Sequence, residues 1–408
     1  MIRLMVSLSA LLVPAISAPG LPQDRELPEL LNAPIEVERP QPVASTALET
    51  RFGKLFLNAT VNGETHEFIF DTGSPTMLSR SIAERLGLTT IGHNTGLDAN
   101  GNSVTMAFAL VDELAVGGAV FHDVPVLVFD FTELSLGGCI IDGGILGSEI
   151  LAGSAWLIDT ENETLSFAAN ADALGSGEAV VDAGLSDFGY PHAPIIAYQV
   201  GDVTDRALFD TGSAEAVSLF RTLIQDASVR DAIAADSMVT GRGSEGESAG
   251  GYGEITDLAR FTLEAFSIDG QSVAPLRANT RGAPPTLVGA GMLDTYRVRL
   301  DYPQGRFVLE RRDEALPDEA ESGYSVAFVD GQARVVQIFS GSPAAEAGLQ
   351  LGDQVIAIDG RRLDVTPASP MCETALWLLN GFDAARGGVF EIQRGDTRMT
   401  VSVPPAGQ

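Results

Sequence analysis

An internal duplication constrains the fold of this 408-residue chain more than any other feature of its sequence. In each copy, a strand with alternating apolar residues reaches a tight turn, at Asn62-Gly63 or at Gly201-Asp202, and an apolar return strand follows. Each return strand runs directly into Asp-Thr-Gly-Ser, which begins at Asp71 and at Asp210, nine residues after the turn begins. The repeat predicts two lobes of the same architecture.

The match between the copies continues after the tetrapeptides. Two apolar residues and a glycine recur, ending at Gly147 and Gly289, and a strand that ends in Asp follows each glycine by twelve residues. Those two residues, Asp159 and Asp301, are expected to serve the turns that follow them. Turn signals at short intervals predict that both lobes are mostly antiparallel β.

The two Asp-Thr-Gly-Ser segments predict a pair of carboxylates. A pseudo-two-fold axis between duplicated lobes brings equivalent positions together, so Asp71 and Asp210 are expected to meet. Two carboxylates about 3 Å apart cannot both ionise, so they share one proton. The ionised member can act as a general base on a water while the protonated member donates to a substrate carbonyl. Such a pair hydrolyses an amide without a metal, a cofactor or a covalent intermediate.

The residues beside each Asp have expected supporting roles. The glycines let the backbone turn tightly and keep side chains away from the carboxylates. The threonines can hydrogen-bond across the axis, and the serines can donate to the outer carboxylate oxygens, which would lower the pKa of the pair. On that basis activity is expected to peak below about pH 6, since screening mutes the distant acidic charges. The supporting set comprises Thr72, Gly73, Ser74, Gly147, Thr211, Gly212, Ser213 and Gly289.

The duplicated Phe-Asp-Thr-Gly-Ser with its later apolar-apolar-Gly resembles the aspartic proteases, over about residues 46–312. The short lobes look like retropepsin-type members fused into one chain. The resemblance implies closed β lobes, a cleft that binds an extended polypeptide, and flap hairpins over the cleft. It matches Asp71 and Asp210 to the catalytic pair. Candidate flaps are the turn at Asn100-Gly101 and the Gly-rich stretch 241–253, which is expected to be mobile.

A different pattern begins at Gly323 and resembles a PDZ domain of the type found on exported bacterial proteases. The run Gly341-Ser342-Pro343-Ala344, the later Gly352-Asp353 and the closing Asp359-Gly360 carry this resemblance. PDZ domains hold extended peptides by adding a strand to a sheet edge. The implied partner is a peptide or protein C-terminus, with residues 324–334 as the candidate carboxylate-binding segment. The alternative is that this module only packs against the lobes.

Charge and the N-terminus indicate where the chain acts. The chain has 25 Lys+Arg against 55 Asp+Glu, and this net charge of −30 argues against nucleic-acid binding. Residues 1–18 are typical of a signal peptide, with Arg3 before an apolar run too short to span a bilayer. Export to the periplasm or the exterior is therefore expected, with no stable membrane span. Residues 19–45 are Pro-rich and predict an extended tether, with a propeptide role as a hypothesis.

Two residue types are rare in this sequence, which has two cysteines and one lysine. Cys139 and Cys372 lie far apart in sequence and cannot form a disulfide framework, so two free thiols are expected rather than a bridge. Lys54 is the chain's one lysine, and its rarity is attributed to compositional bias.

The predicted fold is mainly β, with two pseudo-symmetric lobes of closed β-barrel type and a C-terminal PDZ domain of α+β type. The predicted organisation is a signal peptide (1–18), a tether (19–45), a first lobe (46–170), a linker (171–183), a second lobe (184–312), a linker (313–322) and a PDZ domain (323–404). The predicted function is that of an exported, monomeric aspartic endopeptidase with no cofactor. The alternative is a non-catalytic peptide-binding scaffold with inactive protease-like lobes.

Overall fold

The computed structural model describes residues 27–175, 177–273, 275–314, 322–363, 365 and 371–406. The predicted signal peptide, the beginning of the predicted tether and most of the linker at 313–322 lie outside the described residues. Within the described ranges, every helix is too short or too polar to cross a membrane.

The first lobe is a closed ring of strands. Its elements are α1 (Leu27–Asn32), β1 (Glu36–Glu38), β2 (Val43–Ala47), β3 (Glu49–Arg51), β4 (Lys54–Val61), β5 (Glu64–Phe70), β6 (Met77–Ser79), α2 (Arg80–Arg85), β7 (Thr90–Leu97), β8 (Ser103–Val116), β9 (Ala119–Phe129), α3 (Gly137–Ile140), β10 (Gly144–Leu146), β11 (Ala155–Asp159) and β12 (Thr164–Ala168), with 3₁₀ turns at Phe131–Glu133, Ser148–Ile150 and Ala171–Leu174. Strands β4, β5, β10, β6, β9 and β8 pair in that order, and β8 also pairs with β4. Ring closure leaves none of these six strands as a free edge.

The second lobe repeats this ring. Its elements are β13 (Ala179–Ser186), β14 (Ile195–Val200), β15 (Val203–Asp210), β16 (Val217–Phe220), α4 (Ala227–Asp231), β17 (Val239–Gly243), β18 (Glu247–Ser248), β19 (Gly251–Tyr252), β20 (Thr256–Leu263), β21 (Phe266–Ile268), β22 (Gln271–Ser272), β23 (Leu276–Arg281), β24 (Thr286–Gly289), β25 (Tyr296–Asp301) and β26 (Arg306–Arg311), with 3₁₀ turns at Arg221–Gln225 and Ala290–Asp294. Strands β14, β15, β24, β16, β23 and β20 follow one another, and β21 returns to β14. The predicted mainly β fold with two equivalent lobes is confirmed.

A six-stranded antiparallel sheet joins the two lobes, in the order β2, β12, β11, β25, β26, β13. Its edge strands, β2 and β13, begin in the segments predicted to be the tether and the linker at 171–183. Helix α1 also packs Leu27 and Leu31 into the core. The tether prediction is therefore wrong for the described part. In the described part, Pro34, Pro40 and Pro42 lie between the elements, and Pro28 lies in the first turn of α1, where a missing N–H costs nothing.

The domain predicted to be a PDZ domain follows the second lobe. Its elements are β27 (Tyr324–Val329), β28 (Gln332–Phe339), α5 (Pro343–Glu346), β29 (Gln354–Ile358), β30 (Arg361–Arg362), α6 (Met371–Asn380), β31 (Gly388–Arg394) and β32 (Thr397–Val403), with a 3₁₀ turn at Ala384–Arg386. The predicted α+β architecture of this domain is confirmed in its described residues. Ser342 caps α5 by accepting a hydrogen bond from the Ala345 N–H, with Pro343 in the first turn.

The PDZ domain is attached to both lobes. On one side, β28 pairs antiparallel with β17 of the second lobe. On the other side, a disulfide between Cys139 and Cys372 joins α3 of the first lobe to α6, with the two Cα atoms 5.2 Å apart. The prediction of two free thiols is wrong, because sequence separation does not limit distance once the PDZ domain packs on the first lobe.

Loss of the disulfide is expected to lower the free energy of unfolding. The bridge spans 233 residues of sequence, for which the chain-entropy treatment gives up to about 5 kcal/mol. Cys139→Ser/Cys372→Ser should therefore unfold at a lower temperature than the oxidised wild type, as followed by calorimetry. Reductant should lower the wild-type Tm and leave that of the double variant unchanged. A wild-type Tm that ignores reductant would contradict this prediction.

Candidate active site

Asp71 and Asp210 lie together, fully buried, on the axis between the lobes. Asp71 directly follows β5, and Asp210 is the last residue of β15. Their side chains share a hydrogen bond. Each carboxylate also accepts a backbone N–H from the glycine two residues later: Gly73 N lies 2.9 Å from Asp71 Oδ1, and Gly212 N lies 2.8 Å from Asp210 Oδ1. The structure thus brings the two predicted carboxylates into direct contact.

The two glycines make this contact possible. A Cβ atom on Gly73 would lie 2.5 Å from the Cγ of Asp210, and a Cβ on Gly212 would lie 2.2 Å from Oδ2 of Asp71. Both separations are far inside van der Waals contact. Each lobe therefore needs glycine at this position because the aspartate of the other lobe occupies the space.

The two threonines bind the lobes together beneath the carboxyls. Thr72 N donates to Thr211 Oγ1 at 3.0 Å, and Thr211 N donates to Thr72 Oγ1 at 3.1 Å. Each hydroxyl then donates across the axis to a carbonyl, of Phe209 at 2.7 Å and of Phe70 at 2.9 Å. These four buried bonds fix the relative position of the two Asp-bearing loops.

Gly147 and Gly289 lie beneath the two loops. A Cβ on Gly147 would lie 2.3 Å from the carbonyl oxygen of Ser74, and a Cβ on Gly289 would lie 2.6 Å from that of Ser213. Gly147 directly follows β10, and Gly289 ends β24. These two strands pair parallel with β5 and β15, the strands that lead to the two aspartates. The close approach of these backbones requires glycine at both positions.

Comparison with known families agrees with this geometry. Residues 57–150 match the family model described as aspartyl protease, and residues 334–369 match that of the PDZ domain. The chain contains an aspartyl protease domain and a PDZ domain. No curated protein matches the chain. The matched part of the aspartyl protease domain includes Asp71 and Gly147. The equivalence of the second lobe rests on its strand ring and its own tetrapeptide.

The serine hydroxyls of the two Asp-Thr-Gly-Ser segments have neighbours other than the carboxyls. The Ser74 hydroxyl donates to the Pro75 carbonyl at 2.9 Å, and the Ser213 hydroxyl lies 3.5 Å from that of Ser218. The Ser74 hydroxyl is thus directed to a carbonyl of its own loop and not to the carboxyls, whereas either serine can be the donor in the longer contact with Ser218 of β16. The predicted hydrogen bond from Ser213 and the predicted activity maximum below about pH 6 stay predictions.

The environment of the pair favours protonation instead. Burial raises the pKa of Asp71 well above its ordinary value, and the charge of Asp210 raises it further. Lys54 and the Gly73 N–H act in the opposite direction. Asp71 consequently holds a proton to higher pH than a free aspartic acid would.

The two candidate flaps meet above the carboxyls. Ala99 N, in the turn between β7 and β8, donates to Ser248 Oγ at 3.1 Å. The side-chain amide of Asn100 donates to the carbonyls of Gly246 at 3.1 Å and Gly251 at 3.2 Å. The Gly-rich stretch expected to be mobile is thus paired and partly buried.

A small charged cavity of about 100 Å³ lies beside the pair on the second-lobe side. Its lining includes Lys54, Ser213, Glu215, Glu245, Asn279 and Arg281. Arg281 is buried and donates to the flap carbonyl of Ala99 at 3.1 Å. Glu245 accepts hydrogen bonds from Arg221 and from the Gly282 N–H. The cavity is therefore lined both by residues of the flap contact, such as Ala99, and by charged residues near the pair, such as Lys54.

Lys54 and Glu149 were missed by sequence reasoning. The Lys54 ammonium is buried and donates to the carbonyl of Gly212, in the loop of the second Asp. The Glu149 carboxylate accepts the Thr76 N–H at 2.7 and 2.9 Å beneath the first Asp-bearing loop. Both have positional signals: Lys54 begins the strand that pairs with the return strand to Asp71, and Glu149 lies two residues after Gly147.

Glu149 makes the stability of the first lobe depend on pH. Burial raises the pKa of Glu149 from 4.5 to about 7, against hydrogen bonds that lower it. The folded state therefore binds the proton more tightly than the unfolded state, and stability falls as pH rises from about 4.5 to 7. This shift corresponds to about 3 kcal/mol.

Glu149→Gln should remove that share of the pH dependence. Chemical denaturation at several pH values between about 4 and 8 measures it. The matched control is Glu84→Gln, at an exposed position on α2, which should retain the wild-type slope. If Glu149→Gln keeps the wild-type slope, the buried carboxyl is ionised across the whole range and the assignment is wrong.

Proposed function

We propose that the chain is an aspartic endopeptidase that hydrolyses peptide bonds through the Asp71–Asp210 pair. The observation that carries this proposal is the hydrogen-bonded contact of two buried carboxyls, one from each lobe. Hydrolysis by such a pair requires one proton between two carboxyls and a carbonyl within reach of both. The cross-axis threonine bonds and the paired glycines support the first requirement, because they hold the two carboxyls in contact.

In the proposed reaction, the ionised carboxyl takes a proton from a water whose oxygen attacks the substrate carbonyl carbon. The protonated carboxyl donates to the carbonyl oxygen as the tetrahedral intermediate forms. The proton taken from water then passes to the amide nitrogen as the C–N bond breaks, and a hydroxyl of the intermediate returns its proton to the other carboxyl as the new C=O bond forms. A new carboxyl and a new amine result, and the pair returns to its singly protonated state.

The cleft favours an extended polypeptide as substrate. The pair lies on an axis between two similar rings, so a chain that crosses both lobes presents a peptide bond to both carboxyls. The flaps must open for entry and close again over the bound chain. Because both Asp-bearing lobes belong to one chain, a monomer holds the whole site.

Asp71→Asn and Asp210→Asn should each reduce kcat for cleavage of a denatured polypeptide by at least about 100-fold. Asn cannot accept the water proton or supply the shared one. Asp112→Asn and Asp205→Asn, at exposed positions of the first and second lobes, are the matched controls and should retain activity. A pepstatin-like inhibitor should abolish the wild-type activity. No cleavage at any pH by a folded wild type would favour the peptide-binding scaffold instead.

Export is part of the proposal. The signal-peptide pattern at 1–18 motivates it, and the Cys139–Cys372 disulfide supports it, because such bridges persist in oxidising compartments and are rare in reducing ones. The periplasm and the exterior both meet this condition.

The PDZ domain is proposed to regulate access to the cleft. Strand β28 pairs with β17, which leads into the second flap. The Gln337 amide nitrogen donates to the carbonyl of Ser244 in that flap at 2.7 Å. A peptide C-terminus bound to the PDZ domain would act on a structure already joined to the flap. Recruitment of substrate by the same domain is the second candidate role.

Gln337→Ala should make the flap easier to open, because it removes a buried hydrogen bond between the PDZ domain and the flap. The expected result is a several-fold faster association of a pepstatin-like inhibitor, measured by stopped-flow fluorescence. Gln332→Ala, at an exposed position on the same strand, is the control and should associate at the wild-type rate. Equal rates for the two variants would favour recruitment over regulation.

A further inference from the structure

Lys54 is the one lysine in a chain whose other 24 basic residues are arginines. Its side chain is 2% exposed, although lysine is among the residues least often fully buried. It begins β4 of the first lobe, yet its ammonium donates to the Gly212 carbonyl of the second lobe. A buried charge with no role is costly, so its position at the axis calls for an explanation.

Lys54 has no counterpart in the second lobe. In the first lobe, Leu55 pairs with Phe70, the residue before Asp71. In the second lobe, the Pro194 carbonyl accepts the N–H of Phe209, the residue before Asp210. Position 194 is therefore equivalent to position 55, and position 193 to position 54. Position 193 is an alanine. The otherwise symmetric pair of carboxyls therefore has a lysine from one lobe only.

We propose that Lys54 is a positioning residue whose ammonium is the internal counter-cation of the Asp71–Asp210 pair. This proposal rests on the proposed function. It assigns to Lys54 the control of the pH range in which the pair carries one proton. One proton on two carboxyls leaves a net charge of −1, and the ammonium neutralises it within the buried site.

The other charges around the site do not replace Lys54. Arg281, from β23, interacts with Asp210 and with Glu245, so an acidic neighbour offsets its charge. Glu245 in turn pairs with Arg221, and Glu215 lines the same cavity. Lys54 interacts with both Asp71 and Asp210. Burial lowers the pKa of Lys54, while the two carboxylates raise it.

A lysine suits this position better than an arginine. The ammonium is a compact charge that can donate to one carbonyl while it faces two carboxyls. A guanidinium is a planar fork that would pair bidentately with one carboxylate and draw it away from its partner. The other 24 Lys+Arg positions of the chain are all arginine, and the one lysine lies where the shared proton must be preserved.

The single lysine gives a direct test. In protein labelled with ¹³C at lysine Cε, Lys54 gives the one side-chain resonance of that type, and its chemical shift reports its titration. In Asp71→Asn/Asp210→Asn, which removes all negative charge from the pair, the pKa of Lys54 should fall by about 1–3 units. An unchanged titration in the double variant would overturn the proposal. This measurement needs no catalysis.

The pH profile of kcat/KM is the second test. Lys54→Met should move both limbs of the profile to higher pH by about 1–3 units, because the cation favours ionisation of the pair. Arg80→Met removes the same charge from the exposed surface of the first lobe and should keep the wild-type profile. Equal profiles for Lys54→Met and wild type would overturn the proposal. If wild type cleaves nothing, the proposed function fails and the NMR titration alone decides on Lys54.

Discussion

The four hydrogen bonds between the Asp-bearing loops are the interaction on which the rest of this structure depends. Each threonine, Thr72 or Thr211, binds the backbone of the opposite lobe twice. Without these bonds, two buried carboxyls would repel one another and separate the lobes. With them, and with glycines where the opposite aspartate needs space, the carboxyls stay in contact, and the proposed reaction requires that they share a proton. The six-stranded interlobe sheet supports the same arrangement from below.

Three parts of the chain converge on this centre. The flaps close above it through contacts between the β7–β8 turn and the loop after β17. The PDZ domain pairs with β17 and is joined by a disulfide to α3 of the first lobe, so one domain contacts the flap of one lobe and the body of the other. Lys54 reaches from the first lobe to the loop of the second. The contacts above the pair and the cation beside it thus all join different lobes or domains.

The parts that follow local rules or repeat symmetry could be predicted from sequence. The duplication predicted two similar rings and the meeting of Asp71 with Asp210, because equivalent positions lie together at a symmetry axis. The features that sequence reasoning missed depend on how distant surfaces pack. The bridge from Cys139 to Cys372 requires the PDZ domain to lie on the first lobe. The proposed role of Lys54 requires a side chain to cross the axis, and the Ser74 hydroxyl donates to a carbonyl of its own loop.

The central claim is that the two carboxyls hold one proton between them. Neutron diffraction from crystals of the deuterium-exchanged protein, at a pH where the protein cleaves polypeptide, locates that proton directly. We predict one deuteron between the side chains of Asp71 and Asp210, and no deuteron covalently bound to the other carboxylate oxygens. Two carboxyls that both lack a deuteron, or that lie apart with a deuteron on each, would contradict the account.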